Sequence, residues 1–171
     1  MISSRAFMSQ QPVIDGFEFA SAGATQQGVW ALSDLPRLRD MLATDAGEVT
    51  YIVEGVRDAR GRPALRVRVR GTLPLRCPRC LEVVPFEVRT DEMLVLAATQ
   101  AEIDAEPVDA HAPDRLLASD EMALRDVVED ELILALPYAP RHEGCAARPK
   151  AGMDEKISPF ASLRSMLRGK H

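Results

Sequence analysis

The residues best suited to chemistry fall in two short clusters, Cys77-Pro78-Arg79-Cys80 and His142-Glu143-Gly144-Cys145. A two-residue gap between cysteines lets both thiolates turn toward one ion, and a Cys3His set matches the four tetrahedral ligands that a structural zinc takes. On this reading Cys77, Cys80, His142 and Cys145 hold one structural zinc ion. More than sixty residues separate the clusters, so nothing local forces them to meet, and buried unliganded thiols are the alternative. A redox CxxC is a further alternative. That chemistry needs its first cysteine at a helix N-terminus, whereas both flanks here read as strands. An odd total of three cysteines fits a reducing compartment.

The second constellation is basic. Arg66, Arg68 and Arg70 are two apart, so on a strand their guanidinium groups share one face while Val67 and Val69 take the other. From Arg57 to Arg89 nine arginines stand against three carboxylates; from Asp91 to Glu131 thirteen carboxylates stand against two arginines. Arginines on a sheet face grip phosphates and stack on bases, so Arg66, Arg68, Arg70 and Arg79 are candidate RNA-binding residues. The same charges also guard an exposed sheet against edge pairing. The acidic half serves solubility or shields a basic protein. No catalytic constellation emerges: His111 lacks a nucleophile, and no phosphate-cradling glycine loop occurs. Glu129, Glu131 and the intervening Asp130 splay around a helix rather than converge, so Glu129 and Asp130 are expected to face water.

The elements that must position these groups follow from periodicity. Residues 1–15 read as a loose leader, 16–145 as one α+β domain, and 146–171 as a tail with a short helix. Phe17 and Phe19 flank Glu18 like a brief strand, before a Gly/Gln-rich turn around 23–28. A helix is expected from Ser33, with Leu35, Leu38, Met41 and Leu42 as its stripe. From Glu48 to Ala98 the period becomes 2, giving a hairpin on Val49-Tyr51-Val53 and Leu65-Val67-Val69. A third strand leads into CPRC, a fourth carries Val84, Phe86 and Val88, and a fifth spans Met93–Ala98. An acidic, mobile loop follows over about 99–119. Then a helix capped by Asp120 presents Leu124, Val127, Val128, Glu131, Leu132 and Ala135 on one side until Pro137 ends it. The fold class is therefore α+β: a twisted antiparallel sheet or partial barrel with two or three packed helices.

The net charge of −5 disfavours indiscriminate nucleic-acid binding unless the basic groups are concentrated. Aromatic residues make up only 5%, so aliphatic side chains must build the core. No stretch approaches a membrane span or a secretory signal, and the chain is read as cytoplasmic with no membrane partner.

Three stretches resemble the YceD-like family of large ribosomal RNA subunit accumulation proteins: RCPRCLEVVPFEV (Arg76–Val88), VEDELILALPYAPRHEGC (Val128–Cys145) and SPFASLRSMLR (Ser158–Arg168). Gln27 and Gly28 also sit where that family carries a short Gln-Gly turn. The resemblance implies a non-catalytic ribosome biogenesis factor that promotes accumulation of large-subunit ribosomal RNA. Its partner would be that RNA or a pre-ribosomal particle, or alternatively a basic large-subunit ribosomal protein bound by the acidic half.

Overall fold

The computed structural model describes residues 12–105 and 112–145. The leader to residue 11, His111, part of the acidic loop and the closing helix expected at Ser158–Arg168 lie outside the described residues.

Among the described residues, seven strands and three helices form in the order β1 (Val13–Ile14), α1 (Gly16–Ser21), β2 (Thr25–Ala31), β3 (Glu48–Arg57), β4 (Pro63–Arg76), β5 (Val83–Ala97), α2 (Gln100–Ala105), β6 (Arg115–Leu117), β7 (Met122–Ala123) and α3 (Leu124–Ala135). The main sheet has the order β2-β3-β4-β5-β6, and β1 pairs with β7 in a separate two-stranded sheet. Neighbours in the main sheet run antiparallel except β6, which lies parallel to β5. The fold is thus α+β as expected, but the sheet is mixed, because the chain returns through α2 to add β6 alongside the end of β5. The sheet is open, with β2 and β6 at its edges.

The period-2 pattern is realised along the central strands. Val49, Tyr51 and Val53 of β3 and Leu65, Val67, Val69, Leu73 and Leu75 of β4 are buried on one face, whereas Arg66 and Arg70 are exposed on the other. The two strands expected on either side of CPRC are longer than the sequence pattern suggested. Leu65–Leu73 and Leu73–Arg76 are one strand, and Val84–Val88 and the stretch from Met93, which ends at Ala97 rather than Ala98, are another, giving a hairpin of 14 and 15 residues. Its outer part, Leu73–Arg76 paired with Val83–Phe86, projects past the end of β3, whose pairing with β4 stops at Gly71. A bridge from Leu42 to Leu75, and the Ala43 N–H donating to Pro74 O at 2.7 Å, support that projection.

Several local expectations are corrected, and the stretch of about 99–119, expected as a loop, carries α2 and β6. Phe17 and Phe19 lie in α1, because the Asp15 carboxylate accepts the Glu18 N–H at 2.8 Å and caps a helical turn. The Gln27-Gly28 segment is strand β2 rather than a turn; Gly28 is needed there because the Tyr51 ring lies over it, 2.9 Å from where a Cβ would stand. Tyr51 in turn stacks on Trp30 with ring centroids 3.9 Å apart. The Ser33–Leu42 stretch is two 3-10 turns, Leu32–Asp34 and Arg39–Met41, rather than an α-helix. Pro36 is the cause: it drives Leu35 out of helical geometry, to φ −109° and ψ 83°. Its leucines are nonetheless buried, with Leu32, Leu35 and Leu38 fully enclosed.

Helix α3 covers the buried face with Leu124, Val127, Val128 and Leu132. It begins after Ala123, with no side-chain cap, so Asp120 is not its cap; it ends at Leu136, before Pro137, as expected. The largest departure is Glu129. Instead of facing water it is fully buried, and its Oε1 accepts the N–H groups of Arg37 at 2.6 Å and Leu38 at 2.9 Å. These are donors that the Pro36 interruption leaves without a helical acceptor. A carboxyl group of α3 therefore fastens the irregular segment to the core.

Candidate functional site

The projecting β4–β5 hairpin ends in a tight turn that carries CPRC. The Cys77 N–H donates to Glu82 O and the Leu81 N–H to Cys77 O, each at 2.9 Å. Leu81 closes the turn at φ +66°, a left-handed conformation more usual for glycine. After α3 the chain comes back to this tip, where a second turn, with the Cys145 N–H donating to His142 O at 3.3 Å and Gly144 at φ +69°, presents His142 and Cys145. The two clusters meet across the intervening chain: one ligand atom from each of Cys77, Cys80, His142 and Cys145 lies within 4.8 Å of every other.

The spacings suit a tetrahedral ion. Cys77 Sγ is 3.7 Å from Cys145 Sγ, and Cys80 Sγ is 3.5 Å from His142 Nδ1. Zinc bonds of ordinary length at tetrahedral angles would set such edges at about 3.8 Å and about 3.6 Å. The other imidazole nitrogen, Nε2, donates to Val83 O at 2.8 Å, which turns the Nδ1 lone pair toward the sulfurs. Arg79, expected on the RNA surface, is exposed and spans the two clusters: its Nη1 donates to Cys145 O at 2.5 Å.

The electrostatics also favour a cation. The Cys77 thiol is held down to about 6, first by the backbone N–H of Cys80, although its burial opposes this. Cys145 is pushed up to about 11 by desolvation and then by the Cys80 and Cys77 sulfurs. His142 is raised above its ordinary value by its bond to Val83 O and then by the Cys77 thiol. Crowded thiols resist joint ionisation; a dication at their centre removes that conflict. CPRC lies in a strand–turn–strand, and Cys77 is fully buried, so its lowered value is not accompanied by the access that a redox nucleophile needs.

The arginine face is only partly free. Arg66 makes a bidentate pair with Asp91, at 2.6 and 2.8 Å, and Arg68 pairs with Glu54 at 2.6 Å. Arg70 stands directly opposite Arg89 in the β4–β5 register. Both are exposed, and neither side chain makes an ion pair with a described residue. Arg89 was not anticipated, although its position on the alternating pattern of β5 could have indicated it. A shallow groove of about 680 Å3 runs over this face, bordered by Gln27, Val29, Thr50, Ile52, Arg68 and Arg70.

On the opposite charge side, Glu131 is 5% exposed and its carboxyl is raised to about 7, by desolvation first and then by Glu92, Asp114 and Asp130. A carboxyl raised above its unfolded value stabilises the fold while protonated, and this contribution is lost as pH rises from about 4.5 through about 7. Glu131→Gln is therefore expected to raise stability at pH 8 by about 1–2 kcal/mol, discounted for solvent screening, and to flatten the decline between pH 5 and 7. Urea unfolding of both proteins across that range measures it; an unchanged slope would contradict the assignment.

Among the described residues no helix is long and apolar enough to cross a membrane. The architecture defines a class: an open-sheet α+β protein with a charged outer face and a Cys3His cluster at the tip of its longest hairpin. The family described as large ribosomal RNA subunit accumulation protein YceD matches residues 65–167. That is more than half of the chain, and the chain belongs to this family. No solved structure matches it.

Proposed function

We propose that the protein is a non-catalytic, cytoplasmic ribosome biogenesis factor that promotes accumulation of large-subunit ribosomal RNA by holding that RNA, within an assembling particle, against its open sheet face. The observation that carries this reading is the Arg70–Arg89 pair. Like charges directly opposite on a sheet repel, and Asp91, the carboxylate whose field also reaches Arg70, is held in a bidentate pair by Arg66. A phosphate between the two guanidinium groups would turn the repulsion into two charge-assisted contacts. Arg66 and Arg68 flank this position as neutralised pairs, and Arg79 supports the hairpin tip. In the same reading Cys77, Cys80, Cys145 and His142 hold one structural zinc that fixes the tip.

Reversing both charges, Arg70→Glu with Arg89→Glu, is expected to lower comigration with pre-large-subunit particles at moderate salt at least tenfold. Reversing Arg66 and Arg68 should do less. Loss of association after nuclease treatment identifies RNA as the contact. Undiminished comigration of the Arg70/Arg89 variant would remove the sheet face from the interaction.

A further inference from the structure

A second recess, of about 400 Å3, opens beside α3 and is distinct from the arginine-bearing groove. Leu94, Leu116, Val127 and Leu134 give it apolar walls, and Leu134 is 73% exposed. Asp114, Asp130 and Glu131 line it with three carboxylates against the two arginines Arg37 and Arg115. Asp130 is engaged by Arg37 at 2.5 Å. Glu131 differs: it is 95% buried by its 5% exposure, it lines the recess, and no hydrogen bond or ion pair reaches its carboxyl from the described residues. A carboxyl group desolvated by its surroundings and lining a recess gains when a cation reaches it there.

We propose that this recess binds a lysine or arginine side chain of a basic polypeptide partner, with Glu131 as the counter-charge. The apolar walls suit the alkyl stem of such a side chain and the acidic floor suits its head. Glu92, Asp114 and Asp130 add negative potential around Glu131, and Arg37, which also lines the recess beside Arg115, is engaged by Asp130. The elevated carboxyl of Glu131 agrees with this: the group is poised to ionise when a cation arrives. The site shares no residue with the proposed RNA contact except through the fold, so either can fail alone.

The test is fluorescence anisotropy of the full chain with a labelled peptide of alternating lysine and leucine, at moderate salt. Glu131→Gln keeps the side-chain shape, and should weaken binding about tenfold. Glu121→Gln, which removes the same charge from an exposed position outside the recess, should change it less than about twofold. Acetylating the peptide lysines should abolish binding. Equal losses in the two variants, or no binding at all, would overturn the proposal. So would displacement of the peptide by equimolar spermidine, which would assign the recess to small polyamines. Binding that emerges only after Arg164 and Arg168 are changed to glutamine would assign it to the chain's own C-terminal segment.

Discussion

Protein purified without chelator or metal-affinity resin is expected to carry about one equivalent of zinc, and Cys77→Ser to carry under about a tenth. Cys77 is the most enclosed of the four ligands and its sulfur lies 3.7 Å from that of Cys145, so its replacement strikes the centre of the cluster. The effect on stability follows from linkage. With free metal about a thousandfold above its dissociation constant, binding to the folded state adds about 4 kcal/mol, and in a chain of this size that corresponds to a melting temperature lower by roughly 8–16 °C in the variant. The loss should begin at the tip. Leu73–Arg76 and Val83–Phe86 pair beyond the end of β3, beside the Leu42–Leu75 bridge and the Ala43 N–H, and His142, one of the four ligands, holds Val83 O. Amide hydrogen exchange should therefore rise there before it rises in the inner part of β4 and β5. Wild-type protein with less than about a tenth of an equivalent, and a Cys77→Ser variant as stable as wild type, would dispose of the metal assignment.

Glu129→Ala is expected to destabilise the protein by about 2–5 kcal/mol. The substitution leaves the Arg37 and Leu38 N–H groups, which Glu129 now accepts, without an acceptor in a region that water does not reach freely. Each such donor costs about 1–3 kcal/mol, and the vacated volume adds to this. Glu129→Gln retains an acceptor oxygen and should cost about 1 kcal/mol. The contrast separates a fastening role from simple packing, since packing alone would make the near-isosteric Gln variant neutral and would not expose Leu35 and Leu38. Denaturant unfolding gives the two free energies; equal values for Ala and Gln would refute the hydrogen-bonding account.

These two predictions also mark what a sequence can and cannot express. Strand faces were legible because burial on one side of a sheet imposes a period of 2: Val67 and Val69 inward and Arg66 and Arg70 outward are decided by adjacent residues. The ligand types Cys77, Cys80, His142 and Cys145 were legible for a related reason, since few chemistries need thiols and an imidazole at such short spacings. The Phe17–Phe19 helix was missed because a single Asp15 cap outweighs a three-residue alternation. The Ser33–Leu42 turns were missed because an apolar stripe does not record the strain that Pro36 places on Leu35.

By itself, then, the sequence determined which residues are apolar in period, which side chains are able to ligate a metal, and where basic and acidic charge concentrate. Tertiary structure alone decided that two clusters more than sixty residues apart converge, that Arg66 and Arg68 are neutralised by Asp91 and Glu54 while Arg70 faces Arg89, and that Glu129 lies inside and Glu131 beside a recess. The physical reason is range. Periodicity and turn chemistry act over a few residues, whereas pairing, desolvation and coordination depend on neighbours brought from distant positions by the packing of the whole core.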